Sequence, residues 1–85
     1  MNWVLQVDSA VYKILRKIPG HDARRILFAI ETLALDPFVG DIQKIKGETN
    51  VWRRRIGPYR ILYEIHTAKK IIYVFELQRR TSATY

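Results

Sequence analysis

Apolar residues recur at helical spacing as far as Ala34 and at a spacing of two from Val51 onward, and these two periods belong to different kinds of element. The chain must therefore pack helices against a sheet. In the first part, Val11, Ile14, Leu15 and Ile18 fall at i, i+3, i+4 and i+7, with Lys13, Arg16 and Lys17 on the opposite side. Asp8 or Ser9 offers an N-cap for this helix. Pro19-Gly20 stops it, and His21-Asp22 can cap the next. Ala23, Ile26, Leu27, Ile30, Leu33 and Ala34 then draw a second apolar stripe that ends before Asp36-Pro37. Two amphipathic helices joined by a tight turn form a hairpin.

Ahead of the helices, Trp3 to Val7 is rich in strand formers and reads as a short first strand. After Gly40, Ile42 with Lys44, or Ile45, fits another short strand, and Gly47-Glu48-Thr49-Asn50 is a turn cluster leading into Val51 to Ile56. Gly57-Pro58 separates that strand from Tyr59 to Ile65, in which Tyr59, Ile61, Tyr63 and Ile65 share one side. His66-Thr67-Ala68-Lys69 turns the chain again, and Ile71 to Leu77 is the last long strand. With 85 residues there is room for one domain. The expected fold is α+β, residues 1–85 as a single unit: a short N-terminal strand, a two-helix hairpin, then a three- to four-stranded antiparallel sheet with the helices on one face.

Charge adds a direction to this frame. The chain has 15 Lys+Arg and 8 Asp+Glu, a formal +7. Up to Gln43 the two signs balance at five each, and beyond it ten basic residues face three acidic ones. The second half therefore presents a surface to something negative, such as nucleic acid or an acidic protein. There is no cysteine, which excludes disulfide scaffolds, Cys zinc sites and thiol catalysis. The carboxylates Asp8, Asp22, Asp36 and Asp41 stand at helix ends and turns, too scattered for a metal site, so neither a metal nor an organic cofactor is expected. The N-terminus has no basic stretch followed by a long apolar run, and no segment is long enough to span a bilayer, so a cytoplasmic protein is expected.

In Val51-Trp52-Arg53-Arg54-Arg55-Ile56, the period of two sets Arg53 and Arg55 on one face and Trp52, Arg54 and Ile56 on the other. If Trp52 and Ile56 point to the core, Arg53 and Arg55 point to the open face. Arg60 joins them when Tyr59, Ile61 and Tyr63 are core. Lys44, Lys46, Arg79 and Arg80 come from neighbouring segments and would enlarge the patch, although a bulge near Glu76 or Gln78 changes which of them point inward. Guanidinium groups on such a face give bidentate contacts to phosphate.

The run from Trp52 to Ile65, with its basic strand, Gly57-Pro58-Tyr59-Arg60 turn and apolar strand, resembles the signature of the RelE/ParE superfamily of bacterial toxins. Upstream, Lys44-Ile45-Lys46-Gly47 is similar to that family's Leu-Lys/Arg-Gly element. Downstream, Arg79 is followed six positions later by Tyr85, as in the family's closing motif. The resemblance implies a RelE-like fold and the toxin of a type II toxin-antitoxin system. RelE-type members are ribosome-dependent endoribonucleases that cut mRNA and so inhibit translation; ParE-type members inhibit DNA gyrase. Carried onto this chain, the RelE pattern makes Arg60, Arg79 and Tyr85 catalytic. Arg60 would hold the scissile phosphate, Arg79 would stabilise the transition state or leaving group, and Tyr85 would stack on or polarise the nucleotide. Lys44, Lys46, Arg53, Arg55 and Arg80 would bind the substrate. The resemblance also implies a cognate antitoxin, and the +7 charge asks of it an acidic amphipathic segment.

Cleavage by the ribose 2′-OH needs in-line geometry, charge stabilisation, a base and an acid. Arginine meets the second need and cannot act as base. His21, between the helices, and His66, in a turn, are expected to lie away from the patch. The family's histidine in the last motif is absent, since Gln78 precedes Arg79. That leaves Tyr85, or Glu64 or Glu76 if either faces the groove. A metal-independent nuclease whose rate depends on the ribosome positioning its mRNA is the expectation; gyrase inhibition and plain nucleic-acid binding are the alternatives.

Overall fold

Asp8 anchors the first corner of the chain in two ways. In the computed structural model, which describes residues 3–79, its Oδ1 accepts from the Ala10 N–H at 2.8 Å and caps a helix, α1, over Ser9–Leu15. Its Oδ2 accepts from the Tyr73 hydroxyl at 2.6 Å, tying that cap to the last strand. The Tyr73 bond first, and then the Ala10 bond, hold the Asp8 carboxyl below its usual range. A carboxyl whose folded pKa is lowered contributes stability at neutral pH and loses it as pH falls through its titration. Thermal melts from neutral pH down into the acid range should therefore drop less steeply for Asp8→Asn than for the wild type; parallel curves would contradict the assignment.

Before α1, β1 spans Val4–Val7, and after it α2 spans Gly20–Leu33. Pro19, not His21 or Asp22, stands at the N-cap of α2, with no side-chain cap bond. The helix starts earlier than expected because the Pro19 carbonyl already accepts from the Ala23 N–H at 3.0 Å, closing the first turn on it. Asp22 sits in the first turn instead, where its carboxylate accepts from the Tyr59 hydroxyl at 3.0 Å.

Four further strands follow: β2 Ile42–Lys44, β3 Val51–Ile56, β4 Tyr59–His66 and β5 Ile71–Arg79. Gly57 has φ +56° and opens the two-residue turn between β3 and β4, with Pro58 supplying the negative φ that the second turn position needs. The sheet has five strands in the order β1-β5-β4-β3-β2. It is mixed rather than wholly antiparallel, because β1 lies parallel to β5, Val4 facing Ile71 and Val7 facing Val74. This pairing covers the β5 edge and brings Leu5 and Val7 against the core.

The alternation in β4 appears as expected: Tyr59, Ile61, Tyr63 and Ile65 are buried against Val11, Leu15, Ile26, Ile30 and Leu33 of the helices and against Ile72, Val74 and Leu77 of β5. In β5 the core positions are Ile72, Val74 and Leu77, which a strict period of two cannot supply. A bulge at Phe75 resolves this, the β4 register shifting between Leu62 and Tyr63. Residues 76 to 79 thereby change sides relative to simple alternation. No helix among the described residues is long and apolar enough to cross a membrane.

Candidate nucleic-acid interface

The face of the sheet away from the helices carries a groove of about 520 Å³, lined by Arg53, Arg60, Leu62, Glu64, Phe75 and Gln78 among others. Its geometry follows from register. Arg53 stands opposite Leu62, and Arg60 stands between Arg55 on β3 and Gln78 on β5. Arg53 is thus midway between Arg60 and Glu64 along β4, one step of about 6–7 Å from each. The expected convergence of Arg53 and Arg60 on the open face is what the strands produce.

Arg53 is 7% exposed, an unusual burial for a charged side chain. Its Nη2 donates to Gln43 Oε1 at 2.6 Å across the β2–β3 pair, while its Nη1 is buried with no hydrogen-bond partner. Arg60 Nε is in the same condition. A buried donor without a partner costs about 1–3 kcal/mol, so these two guanidiniums are held ready for an acceptor at the expense of the fold. Arg53→Met should then leave stability in urea melts unchanged or raise it by about 1 kcal/mol while abolishing anion binding in the groove. A marked loss of stability would make Arg53 structural.

Glu64 also lines the groove, and its Oε1 lies 2.7 Å from His66 Nε2. This corrects the expectation for His66: β4 continues to residue 66, and the period of two brings its ring onto the face of Arg60, Leu62 and Glu64. Glu76, opposite Leu62, shares this face and accepts from Gln78 Nε2 at 2.6 Å. His21 stands apart at the start of α2, 3.2 Å from Asp22.

Other expected members are placed elsewhere. Arg79 pairs with Tyr59, and its guanidinium lies over the Tyr59 ring at 5.8 Å. It is therefore on the helix side, because the Phe75 bulge reverses the parity of the strand beyond it, and Gln78 occupies the place beside Arg60. Burial first, and then the Asp22 bond, push the Tyr59 hydroxyl above its usual range, which keeps that phenol neutral. Lys44 faces Trp52 and so also lies on the helix side, exposed. Lys46 is in the exposed turn after β2. Arg55 is not displaced: it stands directly opposite Arg60 on the open face, as expected, and is exposed. Arg80 and Tyr85 lie outside the described residues. Gln43 was missed because only the β2–β3 register reveals it; extending the β4 alternation by one residue would have found His66. Among the described residues, no three His, Asp or Glu side chains gather as metal ligands.

A family model described as the ParE toxin of the type II toxin-antitoxin system, parDE, matches residues 3–83. Toxin RelE3 of Methanocaldococcus jannaschii is 38% identical over 77 residues, 86% of this chain and 86% of its own length. RelE1 of the same organism is 30% identical over 86 residues, 98% of this chain and 96% of its own. Among solved structures, the archaeal RelE-RelB complex from Pyrococcus horikoshii matches with a TM-score of 0.85 and 27% identity, covering 98% of this chain and 100% of that one. An E. coli RelE mutant in the free state matches at 0.77 with 16% identity over 98% of this chain and 88% of its own, a likeness of fold alone.

Proposed function

The chain belongs to the ParE toxin family of type II toxin-antitoxin systems, and on that footing we propose that its open-face groove is the active site of a ribosome-dependent endoribonuclease that cleaves mRNA. As a member it is the toxin component of such a system. The observation that carries the nuclease reading is the pair of buried guanidinium nitrogens without partners, Arg53 Nη1 and Arg60 Nε, in one groove with a carboxylate.

The chemistry follows from the register. A phosphate on Arg53 has Arg60 on one side along β4 and Glu64 on the other. Arg60 and Arg53 bind its non-bridging oxygens and gain strength as charge grows on the phosphorane. Glu64 takes the 2′-OH proton, and His66 holds the carboxylate from its outer side. The 2′-oxygen bonds to phosphorus as the bond to the 5′-oxygen breaks and that oxygen takes a proton from water, leaving a 2′,3′-cyclic phosphate and a 5′-hydroxyl. Tyr85 keeps the role the family resemblance assigns, at the nucleotide, whereas Arg79, turned to the helix side against Tyr59, is not aimed into this groove. Lys46, Arg55 and Arg80 contact flanking phosphates, while Lys44 lies on the helix side and does not. The ribosome supplies the in-line geometry that so sparse a site does not impose alone.

The partner is an antitoxin with an acidic amphipathic segment. Relatives from P. horikoshii and M. jannaschii were solved as RelE-RelB complexes, and a basic toxin suits such a mate. The ParE name of the matching family model favours gyrase as the second reading. Primer-extension mapping of a reporter mRNA in a reconstituted translation mixture separates the two. Cuts confined to codons in the decoding site are expected. Intact mRNA from a protein that still arrests growth and accumulates gyrase-linked DNA breaks would transfer the assignment to gyrase.

A further inference from the structure

A second and larger cleft is on the other side of the sheet. About 640 Å³ in volume, it lies between the first turns of α2 and the end of β3, and Arg24, Arg25, Arg54, Arg55, His21 and Phe28 line it. No carboxylate belongs to its lining. The open-face groove is different, since Arg53 and Arg60 share it with Glu48 and Glu64. Of these two sites the one without a carboxylate carries the greater positive charge, and it is not the patch that strand alternation predicts.

Local structure does not account for this cluster. Arg24 and Arg25 are in the second turn of α2, where the helix dipole offers a cation nothing, its favourable end being the C-terminus. The ion pairs among the described residues are His21 with Asp22 and His66 with Glu64, so none of these four arginines is paired with a carboxylate. Arg54 runs beneath Gly40, whose absent side chain makes room for it: a Cβ there would stand 2.7 Å from Arg54 Nε. Arg54 Nη1 donates to Thr32 Oγ1 at 3.1 Å and, more weakly, to Ala29 O at 3.4 Å, while its buried Nε has no partner. The Arg25 guanidinium lies over the β3–β4 turn, 3.1 Å from where a Cβ on Gly57 would be. Four like charges from two elements are gathered at a cost in repulsion. Phe28, 68% exposed, stands at their rim.

We propose that this cleft binds the phosphate backbone of RNA, separately from the strand in the open-face groove, so that the protein grips RNA on both sides of its sheet. Planar guanidiniums match phosphate oxygens in pairs. An exposed aromatic ring beside them offers a base a surface to stack on, the combination that single-stranded RNA sites use. β3 joins the two sites, since Arg53 serves the groove, Arg54 the cleft, and Arg55, opposite Arg60 at the end of the strand, borders both. The proposal concerns binding, so it stands or falls independently of whether the groove cuts.

The test is fluorescence anisotropy of a short labelled single-stranded RNA titrated with the full chain over a range of salt, with Arg60→Ala as background so that the probe stays intact. Arg24→Ala with Arg25→Ala should lower the salt slope by about 1.4, about 0.7 per phosphate contact, and weaken binding roughly 25-fold at about 0.1 M salt. Arg24→Gln with Arg25→Gln, which removes the charges but keeps polar side chains of intermediate length, should lower the slope by the same amount and serves as the working pair if the alanine variant does not fold by circular dichroism. Phe28→Ala should weaken binding at least about fivefold. Arg16→Ala with Lys17→Ala removes two exposed charges at and just beyond the C-cap of α1, neither of which lines the cleft, and should have little effect. Equal losses from both alanine pairs would reduce the cleft to general surface charge and overturn the proposal. So would unchanged RNA affinity in the cleft variant, and if that variant instead lost affinity for a polyglutamate peptide, the cleft would be assigned to an acidic protein.

Discussion

Alanine at Arg60 is expected to lower ribosome-dependent mRNA cleavage by about 10²–10³-fold while leaving the melting temperature at or above that of the wild type. The first half rests on where charge develops. As the 2′-oxygen attacks, the non-bridging oxygens of the phosphate gain charge, and a donor that meets them in a site shielded from water contributes about 3–4 kcal/mol to the transition state. Arg60 has such a donor, a buried Nε with no partner of its own. The second half rests on the same fact: removing an unpartnered buried nitrogen releases a cost to the fold and breaks no hydrogen bond. Glu64→Gln should lose a comparable factor of about 10²–10⁴ if it is the base, with stability again little changed. Cleavage mapping and thermal melts on the same preparations decide the matter. Cleavage within a few-fold of wild type for Arg60→Ala would remove the groove from the chemistry, and a collapse in stability would make it a packing feature.

Strand alternation worked where one face of a strand is apolar and the other polar. In β4, Tyr59, Ile61, Tyr63 and Ile65 separate cleanly from Arg60, Glu64 and His66, and the core follows that division. β3 was equally readable, with Arg54 turned toward the helices beside Trp52 and Ile56, as its position requires. β5 resists the same reading because both sides are apolar: Ile71, Tyr73, Phe75 and Leu77 compete with Ile72 and Val74. The structure buries Ile72, Val74 and Leu77, a choice that needs the Phe75 bulge. Tertiary packing decides this, not local preference. Arg79 inherits the consequence and stands with Tyr59. The parallel place of β1 beside β5 was hidden for a related reason, since the partner is more than 60 residues away and nothing local to Val4–Val7 specifies it. The arginine cleft escaped because Arg24 and Arg25 read as the solvent face of a helix until β3 is laid against it.

Alanine at Tyr63 is expected to cost about 3–5 kcal/mol, the largest single loss of stability in this chain. Tyr63 is the largest of the fully buried side chains, at the centre of the sheet between Trp52 on β3 and Val74 on β5. Its hydroxyl donates to the Pro37 carbonyl at 3.1 Å, so the ring pins the loop after α2 as well as filling the space beneath the helices. Truncation leaves a cavity that these layers cannot close without moving, and strands the carbonyl too. A domain of this length has a total stability of about 4–13 kcal/mol, so the melting temperature should fall by roughly 12–40 °C. Tyr63→Phe isolates the hydroxyl and should cost only about 1 kcal/mol. Burial pushes the Tyr63 hydroxyl up to about 12, against a weaker opposing influence of Arg54. Because the folded value is raised, its contribution is intact below about pH 10 and is lost as pH climbs toward 12. The phenylalanine variant should therefore flatten the alkaline limb of stability against pH even as it lowers the plateau. An alanine variant melting within a few degrees of wild type would mean that the helices do not depend on this ring to seat on the sheet.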